Sequence, residues 1–75
     1  MISFYEWITT KYRTKSGDFK NNRFGDLARD AYSDRNFPAA STDKEEISGY
    51  LRCRGACGPC METFEAAWKK YAKEN

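Results

Sequence analysis

Cys57-Gly58-Pro59-Cys60 sets two thiols around a glycine and a proline, and Cys53 lies a short way upstream. Pro59 suits the first turn of a helix, and a cysteine at a helix start has its thiolate stabilised by the unpaired N–H groups there. Thiol–disulfide exchange is one chemistry this stretch could carry. Cys53, Cys57 and Cys60 also fall at C-x3-C-x2-C spacing, which offers three soft ligands to a metal. A structural zinc takes four ligands, and the sequence has no histidine, so an acidic residue, water or a second chain would have to complete the site. The preferred reading is plainer: the thiols are reduced, Gly58-Pro59 starts a helix, and the cysteines serve as small packing residues, with at least Cys53 facing inward.

Both thiol chemistries depend on a frame that the sequence does not supply. The tetrapeptide is the one thioredoxins use, but they set it between a strand and a helix of an α/β fold. No stretch here alternates apolar and polar residues for long, so no sheet is expected. The triple-cysteine spacing resembles the cluster ligands of radical enzymes that use S-adenosylmethionine, which need a large barrel. Other catalytic arrangements are weaker still. Without histidine a Ser-His or Cys-His nucleophile is excluded. The pairs Glu45 with Glu46 and Asp30 with Asp34 read as solvated caps and ion-pair partners on helix faces. The spacing of Gly55, Gly58 and Pro59 matches no phosphate loop. No catalytic residue, cofactor or small-molecule substrate is expected.

Charge is the remaining signal. From Lys11 to Arg23, five basic residues (Lys11, Arg13, Lys15, Lys20, Arg23) face only Asp18, a net +4. From Asp26 to Glu46, six acidic residues face three basic ones, a net −3. Such polarity orients a partner. It suits a non-catalytic protein-interaction module that meets another protein or a second copy of itself. The alternative is nucleic-acid binding, DNA included, through Lys11 to Arg23, whose Tyr12 and Phe19 could stack on bases while the cations meet phosphates. The overall charge of +2 is too small to favour a polyanion by itself.

The elements that must position these residues are legible as helices. Ser3 with Glu6 forms a capping box ahead of Phe4, Trp7, Ile8 and Tyr12, predicting a helix from about Phe4 to Arg13. Thr14 to Asn22 reads as a loop anchored only by Phe19. Asn22 caps a second helix carrying Phe24, Leu27, Ala28, Ala31 and Tyr32, in which Gly25 costs about 1 kcal/mol relative to alanine. Pro38 ends that helix near Asp34 to Asn36. Thr42 and Glu45 then cap a helix bearing Ile47, Tyr50 and Leu51. Phe37 to Leu51 is the expected centre of the fold, with the flanking helices packing on it. A connector follows, and a last helix carries Met61, Phe64, Trp68, Tyr71 and Ala72. The expected core is Phe4, Trp7, Ile8, Leu27, Ala31, Tyr32, Phe37, Ile47, Leu51, Phe64 and Trp68.

Ser3-Phe4-Tyr5, Leu27-Ala28 with Asp30 and Tyr32, Phe37-Pro38, Ser41, Asp43, Glu46-Ile47, Tyr50-Leu51, Met61, Phe64 and Ala67-Trp68 together resemble the YozE family of short bacterial proteins. The resemblance runs from Ser3 to Tyr71 and implies an all-α, sterile-alpha-motif-like bundle of four or five short helices. It transfers no catalytic residue. Two stretches depart from the family pattern: the longer polar loop from Gly17 to Asn22 and the Cys-Gly-rich connector.

Seventy-five residues are expected to form one domain with a largely aromatic core, since the sequence holds five Phe, five Tyr and two Trp. The first residues show no basic segment followed by an apolar run, so no signal peptide is expected, and no segment could span a membrane. An odd number of cysteines is unusual in a secreted domain of this size, which points to the cytoplasm.

Overall fold

Four helices, the first three with side-chain N-caps, make up the computed structural model, which describes residues 2–75. Helix α1 (Phe4–Lys11) begins where the Ser3 hydroxyl accepts the Glu6 amide at 3.1 Å, as its spacing predicts. It buries Phe4, Trp7, Ile8 and Thr9. It stops earlier than expected, because Arg13 leaves the helix to form an isolated antiparallel bridge with Phe19. The segment between is a closed turn: the Thr14 amide donates to the Asp18 carbonyl, and Gly17 takes a φ of 92° that suits glycine. Among the described residues no strand forms.

Helix α2 (Arg23–Ser33) is capped by Asn22, whose side-chain oxygen accepts the Gly25 amide at 2.8 Å. Its buried face is Gly25, Ala28 and Ala31, a small-residue stripe. That stripe lets the helix lie close, and it rotates the larger side chains to the margin. Leu27 is half-buried, and Tyr32, an expected core residue, is 55% exposed.

Helix α3 (Lys44–Cys53) starts one residue later than its capping box suggests. Asp43, not Thr42, accepts the Glu45 amide at 3.0 Å, and the Ser41 hydroxyl accepts the Asp43 amide. Ile47, Ser48 and Leu51 are buried. Helix α4 (Gly58–Glu74) has proline in its first turn and buries Phe64, Ala67 and Tyr71, while Trp68 is half-buried and Ala72 exposed. This 17-residue helix, and not Phe37 to Leu51, is the centre: it packs against each of the other three, whereas α3 packs on α4 alone. The longest helix can present an apolar stripe to three neighbours at once, which the ten residues of α3 cannot. Among the described residues the buried apolar side chains form a single cluster.

Two carboxylates tie the helices at their ends. Asp34, the residue that closes α2, accepts the Tyr50 hydroxyl, the Asn36 amide at 3.0 Å and the Arg54 guanidinium at 2.8 Å. Glu74 accepts the Trp7 indole at 3.0 Å and the Lys11 ammonium at 2.9 Å. The Tyr50 hydrogen bond above all holds Asp34 below the ordinary aspartate value near 3.8. The Trp7 indole, then Lys11, holds Glu74 below 4.5. A depressed pKa means that the unfolded chain binds more protons in this range, so both contributions are complete above the ordinary values and vanish as pH falls through the folded ones. The melting temperature should therefore fall with acidification below about pH 4.5. An Asp34→Asn, Glu74→Gln variant should show a shallower acid decline in thermal melts from pH 7 to 3.

Candidate functional site

The basic segment is built by the end of α1, the closed turn and the start of α2. The Lys20 amide donates to the Tyr12 carbonyl at 2.8 Å, which folds the turn back onto the end of α1. Four of the five predicted cations rest on aromatic faces. Lys11 lies over Trp7 at 5.9 Å, Lys20 over Tyr12 at 5.7 Å and Arg23 over Phe24 at 4.9 Å. Arg13 is wedged between Tyr32 at 4.4 Å and Phe19 at 4.9 Å. Lys15 is exposed on the turn. Such stacking fixes the stems without neutralising the charge. Lys11 alone among the five is ion-paired among the described residues, to Glu74, which raises its pKa.

Arg13 and Tyr32 form the most distinctive feature of this surface. With Thr9, Thr10, Thr14 and Lys15 they line a shallow open groove. The Arg13 Nε is buried without a hydrogen-bond partner among the described residues, while Tyr32 stands out into solvent.

The last part of the acidic segment lies at the other end of α1. The Phe4 amide, where α1 begins, donates to the Ser41 carbonyl, so the turn leading to Asp43, Glu45 and Glu46 sits at the N-terminal end of that helix. Eight residues of helix separate the two poles, a rise of about 12 Å. Asp26 and Asp34 are paired with Arg29 and Arg54, and Asp43 is used as a cap. Glu45 and Glu46 remain exposed in the first turn of α3. Glu45 and Glu46 thus lie at the far end of α1 from the basic turn, while Asp26 and Asp30 of the same acidic stretch lie on α2 and line a groove with Arg23.

All three thiols are exposed, Cys53 included. Cys53 lies two residues past Leu51, about 200° around α3 from that buried position, and so faces away from the core. Cys57 is the residue before α4 and Cys60 lies in its first turn, with their sulfurs 3.2 Å apart. Cys57 makes no side-chain capping bond of ordinary geometry. The Cys60 thiol, and secondarily the Cys60 amide, nevertheless lower the Cys57 pKa, while Cys60 is raised by its partner. Cys53 does not join them: among the described residues no group of three Cys, Asp or Glu side chains is gathered to hold a metal.

The family described as the YozE SAM-like fold matches residues 3–73. The chain belongs to the YozE family. It is 39% identical to a UPF0346 protein of Bacillus licheniformis over 99% of this chain and 96% of the relative. It is 38% identical to the UPF0346 protein YozE of Bacillus subtilis over 99% and 95%. It is 43% identical to a UPF0346 protein of Geobacillus kaustophilus over 96% and 94%. These names state no activity, ligand or partner. No solved structure matches the chain.

The resemblance drawn from Phe37-Pro38, Tyr50-Leu51 and Phe64 with Trp68 therefore holds over nearly the whole chain, and its all-α, SAM-like fold with it. No described helix of this YozE-family chain is long and apolar enough to cross a membrane. Sequence reasoning missed Tyr32 as a surface residue, because it follows Ala28 at the same helical interval as a core position. It also missed Glu74, whose partners Trp7 and Lys11 are distant in sequence.

Proposed function

We propose that this YozE-family chain is a non-catalytic protein-interaction module whose basic pole takes an acidic protein surface, with a second copy of the chain as the partner. The observation that carries this reading is the Arg13–Tyr32 stack, in which a half-buried cation and a 55% exposed ring stand over an open groove at the basic end. Tyrosine and arginine are the side chains most often responsible for binding energy at protein interfaces. An aromatic ring left in water, with a guanidinium already ordered against it, costs little further entropy to bury. The acidic turn at the far end supplies the complementary surface, so copies would meet head to tail through two different patches.

The nucleic-acid reading has less in its favour. Lys11 is engaged by Glu74, and the other four cations of the segment stand on a chain whose net charge of +2 is small for a polyanion partner.

Sedimentation of the full chain at low and moderate salt tests the proposal. Concentration-dependent association that weakens with salt is expected, and Tyr32→Ala should reduce it about tenfold or more while leaving the fold intact. Lys15→Glu and Glu46→Lys variants should each associate poorly alone and recover when mixed. Titration with single- and double-stranded DNA and with RNA forms the second arm. Saturable, salt-sensitive binding with chemical-shift changes confined to Lys11 to Arg23 would replace this reading with nucleic-acid recognition.

A further inference from the structure

Cys57 and Cys60 are not used by the interaction surface at the basic pole, and their placement is that of a reactive pair. Both are exposed, their sulfurs are 3.2 Å apart, and they flank the start of a 17-residue helix, Cys57 just before it and Cys60 in its first turn. A disulfide needs its sulfurs at about 2.05 Å, so rotation of the two side chains closes most of the gap. Pro59 stiffens the turn between them. Cys60 also borders two adjoining grooves, one shared with Arg23, Leu27 and Thr63 and the other with Phe37, Leu51 and Ala56. The walls beside the thiol are mixed, apolar at Leu27, Phe37 and Leu51 and charged at Asp30, which lines both grooves, and they give a disulfide-bearing molecule a place to rest.

We propose that Cys57 and Cys60 form a reversible dithiol–disulfide pair that exchanges with solvent-exposed disulfides. Cys57 is the attacking group, because its thiolate is stabilised by the neighbouring thiol and amide of Cys60. Its sulfur attacks one sulfur of the substrate disulfide. A mixed disulfide forms at Cys57, and the other half leaves as a thiolate that takes up a proton. Cys60 then gives up its proton and attacks the Cys57 sulfur, which releases the second half of the substrate as a thiol. The protein dithiol is oxidised by two electrons and the substrate is reduced to two thiols; excess thiol runs the exchange backwards. The setting differs from that of a thioredoxin, since the pair stands at a helix start with no strand before it among the described residues.

The test uses the full chain exposed to oxidised glutathione, quenched by acid and read by mass spectrometry after alkylation. The expected product is a Cys57–Cys60 disulfide with Cys53 still free. A Cys60→Ser variant should accumulate a glutathione adduct at Cys57, because no second thiol is left to resolve it, and a Cys57→Ser variant should form no internal disulfide. All three side chains are exposed, so both variants should keep the parent's helical content, and circular dichroism checks this. A separate measurement on the unmodified chain compares iodoacetamide labelling, with Cys57 expected to react about tenfold faster than Cys53. Adducts spread evenly over the three thiols, or equal labelling of Cys57 and Cys53, would overturn the proposal.

Discussion

Phe4→Ala should lose about 3–5 kcal/mol, most of the stability of a small domain at the low end of the usual range of about 5–15 kcal/mol. Phe4 is 1% exposed, and its ring meets Trp7 at 5.8 Å, Phe64 at 5.4 Å, Trp68 at 5.5 Å and Tyr71 at 5.6 Å. Each neighbour is a rigid aromatic ring, so the hole left by truncation has no flexible side chain to fill it. The ring contacts also run between α1 and α4, so one deletion loosens the contact of the first helix with the central one. Trp68→Ala removes a larger side chain, yet Trp68 is half-buried and part of its surface is already in water, so its loss should be smaller. Denaturant unfolding of the two variants checks the order. A Phe4→Ala protein as stable as the parent would mean that the aromatic cluster is not the source of stability.

That cluster was largely legible in the sequence, since Phe4, Trp7 and Ile8 on one helix and Phe64 with Trp68 on another recur at helical spacing. Periodicity defines a face but not its centre. In α2 the face turned inward is Gly25, Ala28 and Ala31, whose small side chains allow close packing, and this moves Tyr32 to the surface although its spacing is that of a core residue. The start of α3 illustrates a different limit. Thr42 and Asp43 are both good caps, and Glu45 favours Thr42 by spacing, but the turn that places the Ser41 hydroxyl on the Asp43 amide selects Asp43. At the candidate sites, the pairing of Cys57 with Cys60 follows from their spacing at a helix start. The bond from Lys11 to Glu74 depends on how α4 returns past α1, which no local pattern carries.

Gly25→Ala separates local propensity from tertiary packing, because the two predict opposite signs. In a solvated helix, alanine in place of glycine would stabilise by about 1 kcal/mol. Here a Cβ at position 25 would overlap the Lys20 carbonyl group, which is backbone and has no rotamer by which to move aside. The Lys20 carbonyl accepts the Asn22 amide at 3.0 Å, and the Lys20 amide donates to Tyr12 at 2.8 Å. Displacing Lys20 therefore disturbs the bond that folds the turn onto α1 and the approach to the Asn22 cap. Overpacking of this kind costs about 1–3 kcal/mol or more, and the lost backbone bonds add to it, so the propensity gain is outweighed. The variant should be destabilised in urea, with the largest amide shift changes at Lys20 to Asn22 and at Tyr12. The same displacement would disturb the turn that carries the basic pole, so self-association should weaken at temperatures where the protein remains folded. A stabilised Gly25→Ala would show that α2 and the turn do not approach each other closely, and the geometry argued for the basic pole would fall with it.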